Sequence, residues 1–169
     1  MTRSSETTGT DLNQLGARVG ALLKDRGQTI AVAESSTGGL LSAALLAVPG
    51  ASAYFRAGGV VYTRQAWESL LNASIKTVGG TKPLSEQTAL YLAHNIRQQL
   101  GSDWGVGEIG AAGPDGTRYG DPAGHTCIAV VGPKVEHSIT LQTGDNDRVN
   151  NMWAFTGAAL DVLESLLTD

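Results

Sequence analysis

Cysteine, histidine and aromatic side chains are scarce in this chain, and charge is low for its length. Of 169 residues one is cysteine, three are histidine and 5% are aromatic. A lone Cys127 builds no intramolecular disulfide framework, so a reducing compartment is the simpler expectation. His94, His125 and His137 are far apart and fit no His-x-x-x-His or Cys/His spacing, which leaves no motif for a metal. Lys and Arg number 12 against 16 Asp and Glu, a formal net charge of −4. That balance argues against duplex DNA or an anionic membrane as partner, because both require a basic footprint. No apolar run approaches the roughly 18 residues of a membrane span. The polar opening Met1 to Thr10 lacks the hydrophobic segment of a secretory signal. The expectation is a cytoplasmic protein engaged in small-molecule chemistry, without metal or cofactor.

The chain is long enough for one domain with a real core, and 41% of it is hydrophobic. The first ten residues read as a disordered lead-in, and residues 11–169 as a single domain. Leu12, Leu15, Val19, Leu22 and Leu23 recur at helical spacing up to Gly27. Thr29 to Ala33 is a short apolar run suited to a buried strand. A hydroxyl-rich segment and a helix over Leu40 to Leu46 follow. Tyr54 to Tyr62 reads as a second strand, in which Gly58-Gly59 marks a bulge or a close backbone approach. Thr63 can cap a helix through Leu71, and a longer helix should run from Ser85 to Leu100. Trp104 to Ile109 is strand-like. Thr126 to Val131 and Val135 to Leu141 make a hairpin, and a last helix spans roughly Asp147 to Leu167. Alternation of helices and strands, with some strands consecutive, predicts an α/β fold with a central mixed sheet.

Ligands of open α/β sheets collect where strands lead into helices. Two segments fit. Glu34-Ser35-Ser36-Thr37-Gly38-Gly39 sets three hydroxyls before a helix start, where free N–H groups favour an anion and a serine could act as nucleophile. The same residues also suit plain N-capping and close helix–sheet packing. Gly110-Ala-Ala-Gly-Pro-Asp-Gly116, running on to Gly124, lacks the Gly-Lys-Ser/Thr of a P-loop and the G-x-G-x-x-G of a dinucleotide site. It is either a long turn or a functional loop. His125 ends that loop and is the one histidine placed near a pocket. His94 reads as structural or surface and His137 as strand surface, while Trp67, Trp104 and Trp153 read as packing residues.

At these segments the chain resembles the C-terminal domain of the competence/damage-inducible protein CinA, whose stand-alone members are nicotinamide-nucleotide (NMN) amidohydrolases. A-E-S-C-T-G-G of that family is similar to Ala33 to Gly39, and P-G-[SA]-S to Pro49 to Ser52. G-x-V-x-Y-[ST]-N-x-x-K is similar to the stretch in which Tyr62-Thr63 stand at its Y-[ST] and Trp67 at its lysine. [ST]-G-I-A-G-P-x-G and K-P-V-G-T align with Ile109 to Gly116 and Asp121 to His125. The resemblance spans roughly Leu12 to Leu167. It implies a three-layer α/β/α domain that hydrolyses the carboxamide of NMN to nicotinate mononucleotide and ammonia, with serine attacking and a lysine serving as base.

Ser35 and Tyr62, which keep the family pattern, and His125, which departs from it, are the candidate catalytic residues. Glu34, Ser36, Thr37, Gly38, Gly39, Gly110, Gly113, Pro114, Asp115, Gly116 and Arg148 are the candidates for holding an NMN-like pyridine nucleotide. The departures are specific. Trp67 stands at the lysine position, Ile109 at a hydroxyl, Asp121 at the second lysine and His125 at a threonine, and Asn146 follows Gly144-Asp145, with Arg148 two places on. His125 is a possible replacement base, since imidazole suits that work. Lys76 and Lys82 are too distant along the chain for sequence to bring them in. The resulting expectation is a weakened amidohydrolase, with a catalytically silent paralogue that binds a nucleotide or a protein as the alternative, and a homo-oligomer in either case.

Overall fold

A computed structural model describes residues 6–78 and 82–169. Five helices and five strands follow in the order α1 (Glu6–Arg26), β1 (Ile30–Glu34), α2 (Leu40–Leu46), β2 (Phe55–Val60), α3 (Arg64–Leu71), α4 (Glu86–Leu100), β3 (Trp104–Ala111), β4 (His125–Val131), β5 (Glu136–Gln142) and α5 (Arg148–Thr168). Short 3-10 turns at Ala51–Ala53 and Ile75–Val78 were not foreseen in the sequence. The strands form one sheet in the order β2-β1-β3-β4-β5. β1 pairs in parallel with β2 and β3, whereas β3-β4 and β4-β5 are antiparallel, so the sheet is mixed as expected.

Alternate residues of each strand serve two separate cores. Ile30, Val32, Val106, Ile128 and Val130 pack with α1, α2 and α5, including Val19, Leu23, Leu41, Ala159 and Leu163. Ala31, Ala33, Ile109, Cys127 and Ala129 pack with α3 and α4 through Trp67, Leu71, Ala89, Leu92 and Ile96. The result is a three-layer α/β/α domain. Small residues on β3 set the second layer's spacing. A Cβ on Gly107 would lie 2.1 Å from the Ala89 carbonyl oxygen, so α4 can rest directly on the strand only because glycine is there.

Helix starts follow the capping chemistry. The hydroxyls of Thr63 and Ser85 accept from the N–H groups of Ala66 and Thr88, and the Asp147 carboxylate accepts from Asn150. Gly101 ends α4 with a left-handed backbone. Gly58-Gly59 is a close approach rather than a bulge: a Cβ on Gly58 would collide with Ser42 Oγ, and the β1-β2 irregularity lies at Ile30/Ala31. The lead-in expectation divides. Residues 1–5 lie outside the described residues, whereas 6–10 already belong to α1, which extends past its apolar stripe. Among the described residues no helix is long and apolar enough to cross a membrane.

Candidate active site

The carboxyl ends of β1, β2, β3 and β5 and the start of β4 all lie at one end of the sheet, as do the starts of α2, α3, α4 and α5. The two glycine-containing segments singled out in the sequence meet there. Gly38 and Gly39 both take positive φ, 65° and 99°, which lets the turn after β1 fold back into α2.

Two fully buried carboxylates hold that turn from either side. Glu34 accepts from the backbone N–H groups of Gly39, Leu41 and Ser42 at 3.0–3.2 Å, from Thr37 Oγ1 at 2.7 Å and from Ser42 Oγ at 2.5 Å. Glu108 of β3 accepts from the N–H groups of Ser35 and Thr37 at 2.9 and 3.0 Å, from Thr126 Oγ1 at 3.0 Å and from Ser36 Oγ. The Thr37 hydroxyl lies between the two, 3.1 Å from Glu108. The N–H groups at the start of α2, expected to be free for an anion or an oxyanion, are therefore occupied by the protein's own Glu34. Glu34, Ser36 and Thr37 shape the turn from within, and their polar atoms face protein rather than a ligand. Ser35 differs. Only its backbone N–H is held by Glu108, and its hydroxyl makes no hydrogen bond to a described residue.

The second segment closes over this turn. Gly110 lies on β3 against Ser36, where a Cβ would come within 2.5 Å of the hydroxyl. The Gly113 carbonyl accepts from Arg148 Nη1 at 2.6 Å, and Arg148 Nη2 donates to the Tyr62 hydroxyl at 3.1 Å. Thus Tyr62, Gly113 and Arg148, read from three distant segments, do come together. The Gly113-Pro114 peptide is cis, and Pro114, Asp115 and Gly116 are exposed. Asn151 of α5, fully buried, donates to the carbonyls of Ala112 and Asp145 and anchors the loop.

His125 does not pair with Ser35. Its Nδ1 lies 3.3 Å from Gln142 Oε1, and its Nε2 lies 3.9 Å from Asp121 Oδ1. Asp121 is buried and ion-paired to Lys82 Nζ at 2.7 Å, so the fold brings in a lysine that sequence distance had set aside. Burial pushes the Asp121 carboxyl up, but hydrogen bonds from Lys82 and Thr117 and the Lys82 charge outweigh it and leave the group below its ordinary value. Trp67 is 3% exposed, donates from Nε1 to the Val61 carbonyl at 2.7 Å, and shares a hydrophobic cluster with Ile109. Cys127 is also buried, and desolvation raises its thiol pKa, which keeps it inert. Glu108 and Asn151 were not anticipated, and Lys82 had been set aside. A charged residue inside the otherwise small and apolar run Trp104 to Ala111 was the available signal for Glu108.

A mixed-sheet α/β/α domain with a serine on a carboxylate-braced turn is the class that fold and site define. Residues 12–167 match the family profile described as CinA C-terminal domain, and the chain belongs to that family. It is 41% identical over 162 residues to a CinA-like protein of Synechococcus elongatus and 38% identical over 159 residues to one of Synechocystis. Each alignment covers 94% of this chain and 38% of the relative, so the chain spans about two fifths of the length of those curated relatives. Among solved structures, a CinA superfamily protein of Klebsiella pneumoniae superposes with a TM-score of 0.87 at 27% identity, covering 93% of this chain and 98% of that one. A competence/damage-inducible protein of Agrobacterium tumefaciens gives 0.86 at 29%, covering 94% and 96%.

Proposed function

We propose that this chain is an amidohydrolase-like domain of the NMN deamidase type, in which the nucleotide-binding scaffold is kept and turnover is weak. In the reaction, Ser35 Oγ attacks the carboxamide carbon, ammonia leaves with the serine proton, and water hydrolyses the resulting ester to the carboxylate. The observation that carries the reading is the state of Ser35: an uncommitted hydroxyl on a turn fixed by Glu34 and Glu108, at the carboxyl end of the sheet. The weakening follows from Trp67. An indole buried in an apolar cluster takes no proton, and lack of a positioned base typically removes about 10²–10⁴-fold in rate.

Burial of Trp67 and Ile109 in one cluster also favours a second reading, a silent domain that binds a nucleotide without hydrolysing it. Ammonia release from NMN, measured beside Ser35→Ala, separates the two. Slow release that Ser35→Ala abolishes supports hydrolysis. No release, together with thermal stabilisation by NMN, supports the binding role; a ligand at a hundred times its dissociation constant stabilises by about 2.7 kcal/mol. A cytoplasmic location and a homo-oligomeric state complete the proposal.

A further inference from the structure

We propose that Arg64, Arg118 and Tyr119 form a phosphoryl-anion subsite at the rim of the candidate site, the place where a phosphorylated ligand docks its phosphate. The inference deepens the reading above and rests on it for the identity of the ligand, but not for the anion itself.

The helix starts at this end of the sheet are already capped: α2 by Glu34, α3 by Thr63, α4 by Ser85 and α5 by Asp147. Each start already carries an acceptor of its own, which leaves cationic side chains as the stronger hold for an anion. Arg64, on the first residue of α3, donates from Nη2 to the Tyr119 hydroxyl oxygen at 2.9 Å, and Arg118 Nη2 donates to the same oxygen at 2.7 Å. Residues 54 positions apart thus put two guanidinium nitrogens no more than about 5.6 Å from each other, the sum of two hydrogen bonds of this length through one atom. Among the described residues no carboxylate lies within ion-pair distance of Arg64, Arg118 or Arg148. Two like charges that close, without a counter-charge, repel each other, and a phenol oxygen only partly offsets that. The phenol occupies the position of an anionic oxygen, and the hydrogen bond from Arg118, outweighing burial, lowers the Tyr119 pKa. Tetrahedral phosphoryl oxygens fit such a pair of guanidinium forks, which bind them bidentately. Arg64 follows Tyr62 by two residues, and Tyr62 accepts from Arg148, so the subsite adjoins the contact that ties loop, strand end and α5 together.

The test is calorimetric titration of the full chain with sodium pyrophosphate and with inorganic phosphate, at ionic strength held constant with sodium chloride. Arg64→Gln and Arg118→Gln are exposed substitutions, and Arg56→Gln, on β2 away from the rim, is the control. Pyrophosphate binding weakened about tenfold or more by either rim substitution, and unchanged by the control, is the expected result. A tyrosine difference absorbance on binding that Tyr119→Phe removes is expected alongside. Absence of binding by the wild type, or equal binding by wild type and both rim variants, overturns the proposal. Failure of NMN hydrolysis with retained, arginine-dependent pyrophosphate binding sinks the hydrolase reading and leaves the subsite standing. Hydrolysis of NMN together with pyrophosphate binding that neither arginine affects sinks the subsite and leaves the hydrolase reading standing.

Discussion

Trp67 and Ile109 occupy the two positions where the resembled motif carries a lysine and a hydroxyl, and both sit in the cluster under α3 and α4. Both are buried in that one apolar cluster, so replacing either alone does not recreate a polar pocket. A lysine at 67 leaves the Val61 carbonyl without its indole donor and sets an ammonium among Leu71, Ala89 and Ile109. Large-to-small changes of buried Trp cost about 3–5 kcal/mol, and a buried charge adds to that. For a chain of this size each kcal/mol lowers the melting temperature by about 2–4 °C. Trp67→Lys should therefore melt about 10 °C or more below the wild type and still hydrolyse NMN at a rate far below about 1 per second. A variant that keeps the wild-type melting point and turns over at an ordinary enzyme rate would show that Trp67 merely plugs an intact site. Ser35→Ala, by contrast, should leave the melting temperature within about 2 °C, since its hydroxyl supports nothing, and should remove whatever ammonia release the wild type shows.

The turn between β1 and α2 and the lead-in to α4 are the two elements whose roles were least legible. Hydroxyls and glycines at 35–39 announced a special turn, but the carboxylate that braces it from β3, Glu108, lies about 70 positions away. No local pattern reports such a pairing. Glu108→Gln tests the bracing directly. The N–H groups of Ser35 and Thr37 share one oxygen, which an amide oxygen can replace, whereas its NH2 would take the other place and force the Ser36 and Thr126 hydroxyls to turn from donating to accepting. Hydrogen bonds to a charged group are worth about 1.5–3 kcal/mol and neutral ones about 0.5–1.5 kcal/mol, so the variant should lose about 2–4 kcal/mol in urea unfolding together with nucleotide binding. Wild-type stability in that variant would refute the bracing role. At the α4 lead-in, Lys82 and Asp121 give a pH signature. Because the folded carboxyl lies below the ordinary 3.8, its contribution is full above the unfolded value and is lost as pH falls through the lower folded value. The melting-temperature gap between wild type and Lys82→Gln should be widest near neutral pH and should shrink below about pH 4. A gap independent of pH from 3 to 7 would rule out the ion pair as its source.

Fold class, strand boundaries and helix caps were readable over almost the whole chain, because periodicity, capping residues and glycine stops agree element by element. The site was readable as segments, not as contacts. Tyr62, Gly113 and Arg148 were named individually, and only the mixed sheet explains why they touch. Oligomerisation is the remaining question at this scale. β2 is an edge strand paired to β1 alone, and an open edge is a template for a second chain. Exposed apolar side chains gather at its end and at the start of α5: Val60 at 48%, Tyr62 at 58% and Val149 at 60%. β2 carries a single charged residue, Arg56, to discourage pairing. If copies of the chain join here, light scattering should give a mass of two chains or more. Val60→Lys, which puts a charge on the patch without touching either core, should shift that mass toward one chain while the melting temperature of the isolated chain is unchanged. A wild type that runs as a single chain at every concentration leaves β2 an ordinary protected edge and removes the oligomer from the proposal.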